Sequence, residues 1–233
     1  MSRPAPVELE FSRKYDQPHA VQYLHKHQDG LARRLSNWRD QRLARQALAL
    51  AGEPQTVLEL PCGAGRFWPL LAERAERVIL AADNSPQMIA VARQACAVEA
   101  PQLLERVRTF QTSAFAIDLD DAAVDCVFCM RLLHHIAEPA HRLAMLREFH
   151  RVSRDTVIVS LWVDGNYKAW QRHRLERRRR HKLGGLANQN RFVVARTTIE
   201  AEFAQAGFAI LGHRDFLPGY AMWRVYTLRK TPT

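Results

Sequence analysis

Acidic residues are the scarce charge in this 233-residue chain, with 24 Asp and Glu against 34 Lys and Arg and a net charge of +10. Such an excess favours contact with phosphates or anionic lipid and carries no information about fold. Cysteine is scarce too. The four present, Cys62, Cys96, Cys126 and Cys129, lack the regular pairing of a secreted disulfide framework. Cys126 and Cys129 form a Cys-x-x-Cys, but residues 124–130 read as a buried strand. Residues three apart on a strand point to opposite faces, so no metal site is expected there. No apolar run approaches the roughly 20 residues that span a bilayer. The first ten residues, MSRPAPVELE, lack the apolar core of a secretory signal. These absences point to the cytoplasm, with no transmembrane segment. Internal repeats and long Gly/Ser linkers are absent as well, and no feature fixes an oligomeric state.

What is present is an alternating pattern. Residues 19–51 read as helix, with Trp38, Leu43, Ala47 and Leu50 at helical spacing and Gly52-Glu53-Pro54 as a stop. Short apolar strands follow at residues 56–60, 77–82, 107–111, 124–130 and 156–162. Helices are expected between them, at 67–75, from Ser85-Pro86 onward, and at 140–152. Strands alternating with helices predict a Rossmann-like α/β fold: a doubly wound, mostly parallel sheet in three α/β/α layers. After a helix at 198–206, strands at 208–215 and 222–229 predict a terminal antiparallel hairpin. The expected division is a helical lead or lid at 1–52 and one domain at 53–233, with a basic insertion at about 163–191.

The strongest motif is Val57-Leu-Glu-Leu-Pro-Cys-Gly-Ala-Gly-Arg66, a strand and a Gly-containing turn before a helix. Glycine lets backbone N–H groups approach a ligand closely in such a turn. Asp83 ends the next strand twenty residues past Gly63, the spacing of a carboxylate that grips ribose hydroxyls.

These residues resemble the class I S-adenosylmethionine-dependent methyltransferases. Glu59-Leu-Pro-Cys-Gly-Ala-Gly65 is similar to their first motif, Ala82-Asp-Asn-Ser-Pro-Gln-Met88 to the second, and the segment 124–136, ending Leu-Leu-His-His-Ile, to the fourth-strand motif. The resemblance covers about residues 55–162. It implies S-adenosylmethionine as cofactor, with Glu59, Gly63 and Gly65 around its methionine part. It further implies Asp83 on the ribose, Asn84 and Met88 flanking ribose and adenine, and Ser113, Ala114 and Phe115 beside the adenine. Met130, Arg131 and His134 would line the floor beneath the sulfonium. Two positions depart from the pattern. Pro61 replaces the first glycine of the loop and offers no N–H. Ser113 stands where an acid commonly accepts from the adenine amino group.

A base is needed only if the acceptor must lose a proton, and His134 and His135 are the candidates, beside a reading of either as a structural histidine. Residues 168–182 hold eight basic residues against one acid, Glu176, which reads either as a phosphate-contacting surface or as a solvated helix. Tyr15, Tyr23, His25, His27 and Trp38 read as a lid or as helix packing, and Tyr220 and Trp223 face the same choice. An (N/D)-P-P-(Y/F) after the fourth strand, the mark of many nucleobase amino methyltransferases, is missing. The function expected is methyl transfer to an O or N atom of a small or lipid-linked anionic acceptor. The alternatives are a non-catalytic cofactor-binding sensor or partner subunit, and an RNA methyltransferase, for which no base-reading motif is recognised.

Overall fold

A computed structural model describes residues 30–183 and 190–231. In chain order the elements are α1 (Leu31–Leu50), β1 (Thr56–Glu59), α2 (Trp68–Leu71), β2 (Val78–Asp83), α3 (Pro86–Glu99), β3 (Val107–Gln111) and β4 (Val124–Cys129). Then come α4 (Pro139–Val152), β5 (Ser153–Trp162), α5 (Tyr167–Leu183), α6 (Arg196–Gln205), β6 (Phe208–Asp215) and β7 (Trp223–Lys230). The seven strands form one sheet in the order β3-β2-β1-β4-β5-β7-β6. The first five pair in parallel, while β7 runs antiparallel to both β5 and β6. The Rossmann-like sheet and its antiparallel ending are as the sequence predicts.

Strand alternation builds a core on each face of the sheet. On β5, Val157, Val159 and Leu161 point to one side, where α4 supplies Met145, Leu146 and Phe149 and α6 supplies Ile199 and Phe203. Ile158 points to the other, with Leu43, Ala44, Ala47 and Leu48 of α1, Trp68 of α2, and Ala92 and Cys96 of α3. Cys126 and Cys129 fall on opposite faces as their spacing requires, both free and buried. Burial pushes the Cys126 thiol up to about 12, and Cys129 is raised further for the same reason. No group of three or more His, Cys, Asp or Glu positioned to hold a metal exists among the described residues. None of the helices described is long and apolar enough to cross a membrane.

Three local expectations differ. The helix expected at 67–75 stops at Leu71, because arginine side chains capture the carbonyls that would have extended it. Arg77 donates to Leu71 O, and Arg106 donates to the carbonyls of Ala72, Arg74 and Ala75. Trp38 and Leu50 lie on the solvent side of α1; its buried stripe is Asp40, Leu43, Ala44, Ala47 and Leu48. Strand β5 begins three residues early, since Ser153 already pairs with Val124. The lid candidates Tyr15, Tyr23, His25 and His27 lie outside the described residues.

A buried ion pair fastens α4 to α6. The Arg142 guanidinium donates to both carboxylate oxygens of Glu202 (2.8 and 2.6 Å) and to the carbonyls of Ile136 and Ala137 (3.0 and 2.6 Å). Removing one partner of such a pair strands a buried charge. Glu202→Ala is expected to cost about 3–5 kcal/mol in denaturant titrations, and the double change Arg142→Met with Glu202→Leu to recover much of that loss.

Candidate functional site

In an open parallel sheet ligands bind beyond the carboxyl ends of the strands, where the strand order reverses. Here that point lies between β1 and β4. After Glu59 the chain turns through Pro61, and the Cys62 N–H donates to Ala82 O (2.8 Å), tying the loop to the end of β2. Gly63 takes φ +53°, and its N–H donates to Asp83 Oδ2 (3.0 Å). The other Asp83 oxygen accepts from the Ser85 N–H (3.0 Å). Ser85 then caps α3, its hydroxyl accepting from the Met88 N–H (3.2 Å) with Pro86 in the first turn. One carboxylate thus fixes both the loop and the start of a helix.

The cleft so formed encloses about 980 Å³, its open mouth included. Glu59, Pro61, Gly63, Asp83, Asn84, Met88, Ser113, Ala114, Phe115, Met130, Arg131 and His135 all line it. Two of the expected residues do not. Gly65 sits behind the loop at φ +74°, where an added Cβ would come within 2.9 Å of the Trp68 ring, so its lack of a side chain serves packing. His134 is 3% exposed, packed between Trp162 and Trp223 with ring centroids at 5.1 and 4.6 Å. Ser113 already accepts the N–H of Phe115 (3.2 Å), which shapes its own turn.

The electrostatics differ from end to end. Glu59 is 1% exposed, and its Oε2 meets no hydrogen-bond donor among the described residues. Burial pushes its carboxyl well above the ordinary range, and Asp83 is raised by burial against the opposing N–H bonds of Ser85 and Gly63. At the other end, the Arg131 backbone is held at φ +65° by its N–H bond to Ser160 Oγ (2.8 Å). That is a left-handed conformation a side chain seldom adopts. Its guanidinium lies 4.6 Å from the Trp223 ring centre and donates to Asp40, which also accepts from Arg66 (3.0 Å).

Beside them, His135 Nδ1 lies 2.5 Å from the Asn190 carbonyl, which assigns the ring proton to Nδ1 and makes Nε2 the basic nitrogen. Burial lowers the His135 imidazole, with Arg191 adding to it. Burial first, then the charges of His135, Arg191, Arg131 and Arg172, holds His134 far below its ordinary value.

Asp40 and Arg66, which join the expected Arg131 in one ion-pair group, were absent from the residues expected from the sequence. Their signal is an acid inside the buried stripe of α1, three residues before Leu43.

Residues 57–156 match the family model of a methyltransferase domain. A tRNA U34 carboxymethyltransferase of Shewanella frigidimarina is 32% identical over 122 residues, covering 49% of this chain and 34% of that protein. The match therefore spans about a third of the relative's length. Among solved structures, magnesium protoporphyrin IX methyltransferase of Synechocystis, with bound S-adenosylhomocysteine, superposes with TM-score 0.73 at 15% identity, over 95% of this chain and 99% of that one. An S-adenosylmethionine-dependent methyltransferase of Aquifex aeolicus gives 0.61 at 17%, over 94% and 100%. Residues 57–156 thus match a methyltransferase domain, on a fold shared with these methyltransferase structures.

The cleft fits that family's cofactor on its own chemistry. S-adenosylmethionine is cationic at its amino group and sulfonium, and the orphaned, buried Glu59 oxygen is an acceptor in want of such a partner. A carboxyl raised above its unfolded value favours folding most at low pH and loses that contribution as pH rises. Glu59→Gln is therefore expected to raise the thermal midpoint of the ligand-free protein at neutral pH. Thermal melts between pH 5 and pH 8 should show its advantage over wild type growing with pH.

Proposed function

We propose that this chain transfers a methyl group from S-adenosylmethionine to an oxygen or nitrogen atom of an anionic acceptor. The observation that carries the acceptor class is a group of guanidiniums around the histidine pair, of which Arg131 lines the cleft. Arg131 lies over Trp223, and Arg172 and Arg191 lie 5.0 and 5.7 Å from the Trp162 ring centre, all around the His134–His135 pair. Asp40 answers Arg131 and Glu176 answers Arg172, and the charges of the three arginines add to burial in depressing His134, as Arg191 does for His135. A carboxylate or phosphate on the acceptor would complete this cluster.

When bound, S-adenosylmethionine would supply an electrophilic methyl carbon and would leave as S-adenosylhomocysteine. In this reading Glu59 receives the amino group, Asp83 the ribose hydroxyls, and Met88, Ser113, Ala114 and Phe115 enclose the adenine beside Asn84. Met130 and Arg131 bound the space under the reacting carbon. Alignment of the acceptor there accounts for much of the rate, since effective molarity from orientation is large. Where the acceptor carries a proton, His135 Nε2 takes it. His134, walled in by Trp162 and Trp223, orients its neighbour.

RNA is favoured over a small or lipid-linked anion by two features. The Shewanella relative is named for a tRNA modification, and helix α5 follows the fifth strand with eight basic residues against one acid between positions 168 and 182. The deciding experiment supplies methyl-labelled cofactor to the protein with RNA, with lipid extract and with small metabolites in parallel. Label retained in none of these pools overturns the enzyme and leaves a cofactor-binding sensor.

Two variants follow. Asp83→Asn is expected to weaken cofactor binding about tenfold to a hundredfold by calorimetry, the worth of a charge-assisted hydrogen bond. His135→Ala should lower turnover about 10²–10⁴-fold while leaving cofactor affinity near wild type, if the acceptor group is protonated. An unchanged rate in steady-state assays would remove the base.

A further inference from the structure

Helix α5 has two unlike faces. Its inner face carries Ala169, 1% exposed, and Arg172, which bonds Glu176 (2.8 Å) and donates to the Arg191 carbonyl (2.9 Å) beside Trp162. Its outer face carries Tyr167, Trp170, Arg174 and Arg177, a single stripe at spacings of three, four and three residues. All four are exposed, and the two rings are exposed by 49% and 51%.

The β6–β7 turn extends this stripe. Tyr220, 46% exposed, stacks on Tyr167 at 5.7 Å and 13°, and Trp170 follows Tyr167 at 5.9 Å. Cations lie against the rings, with Lys168 5.3 Å from the centre of Tyr220 and Arg174 5.5 Å from that of Trp170. The platform is firmly built. The Tyr167 and Lys168 N–H groups donate to the Gly219 and Tyr220 carbonyls (2.9 and 3.0 Å), and the Asn166 side chain caps the helix through the Ala169 N–H (2.9 Å).

A merely solvated charged helix has no need of three half-exposed aromatic rings in register with arginines. A membrane-inserting face needs a continuous apolar stripe, whereas here the stripe passes from aromatic to guanidinium within two turns, and Leu175 stands apart from it. Aromatic faces beside cations suit unstacked bases followed by phosphates, a combination that duplex nucleic acid does not offer to side chains. Charge complementarity with a chain of net charge +10 points the same way.

We propose that Tyr220, Tyr167, Trp170, Arg174 and Arg177 form a platform that binds single-stranded RNA. Bases stack on the three rings and the phosphates run along the two arginines. The proposal rests on the anionic-acceptor reading and deepens it. Arg172, on the inner face of the same helix, belongs to the guanidinium group around the histidine pair, so a strand held outside would lead its acceptor nucleotide toward the cleft.

The test is binding, independent of turnover. A fluorescein-labelled single-stranded RNA of about 20 nucleotides, long enough to cover the platform, is titrated by anisotropy across a salt series, beside its duplex form. Vesicles of phosphatidylcholine with phosphatidylserine serve as the membrane arm. The wild type should prefer the single strand to the duplex and to vesicles. Tyr167→Ala with Trp170→Ala should weaken single-strand binding at least tenfold with its salt slope kept, as expected from the loss of base stacking. Arg174→Ser with Arg177→Ser should weaken binding and flatten the slope by about 0.7 per lost phosphate contact. Unchanged cofactor affinity in both variants verifies their fold. Equal affinity for duplex and single strand, an aromatic variant within twofold of wild type, or tighter binding to vesicles each overturns the platform. If RNA binds as described yet receives no label from the cofactor, the platform stands and RNA as methyl acceptor falls.

Discussion

The carboxylate of Asp83 holds two neighbouring segments in one geometry, and most of the cleft follows from it. It ends β2, accepts the Gly63 N–H with one oxygen and the Ser85 N–H with the other, and is 5% exposed. The first bond sets the loop after β1 at a left-handed glycine. The second orients the cap of α3, which brings Met88 into the wall. Burying a carboxylate is costly unless hydrogen bonds compensate, and here backbone N–H groups offset part of that cost. The ligand-binding loop is therefore held by the same residue that the ligand's ribose is proposed to meet.

Along the cleft the charges are arranged in sequence rather than mixed. Glu59 and Asp83 stand at the β1–β2 end, and both are destabilised as anions by burial. Arg131 stands after β4, and Arg66 reaches toward it from the loop after β1, both held by Asp40 from α1. A cationic cofactor beside an anionic acceptor matches this order, whereas the reverse arrangement would set like charges against each other at short range. Arg131 illustrates how firmly the positive end is fixed. Its backbone tolerates an unfavourable φ because Ser160, Asp40 and Trp223 each constrain it, and such local strain persists only where its surroundings over-determine it.

Local patterns were legible in the sequence, and distant interactions were not. The bounds of β3 and β6 follow directly from short apolar runs between turn residues, and the loop from Glu59 to Gly65 announces its own geometry. By contrast, α2 is cut short by Arg106, more than thirty residues away, and no window around α2 contains that information. Trp38 and Leu50 fit a helical period as well as the true stripe does, because small alanines at 44 and 47 carry the contact with the sheet. His134 and His135 are adjacent in a short 3₁₀ turn, so sequence order alone does not say which faces the cleft. The tertiary packing of Trp162 and Trp223 decides it.

The family match ends at residue 156, and this boundary has a physical meaning. Inside it lie the strands and turns that shape the Glu59–Asp83 end of the cleft, where the cofactor is proposed to bind. Trp162, Arg172, Arg191 and Trp223 all lie outside it, yet they converge around His134, next to Arg131 at the cleft wall. They do so because β7 inserts antiparallel between β5 and β6, which sets Trp223 directly opposite Trp162 in the ladder. The chain from 190 then crosses over the histidine pair, with the Phe192 N–H donating to His134 O (2.7 Å). The surroundings of the histidine pair, the proposed acceptor side, are thus assembled from the last third of the chain by sheet topology. The same insertion places the β6–β7 turn against the start of α5, where Gly219 and Tyr220 receive its first N–H groups. Cleft and outer stripe therefore share one scaffold: the strand that positions Trp223 also leads from the turn that carries Tyr220.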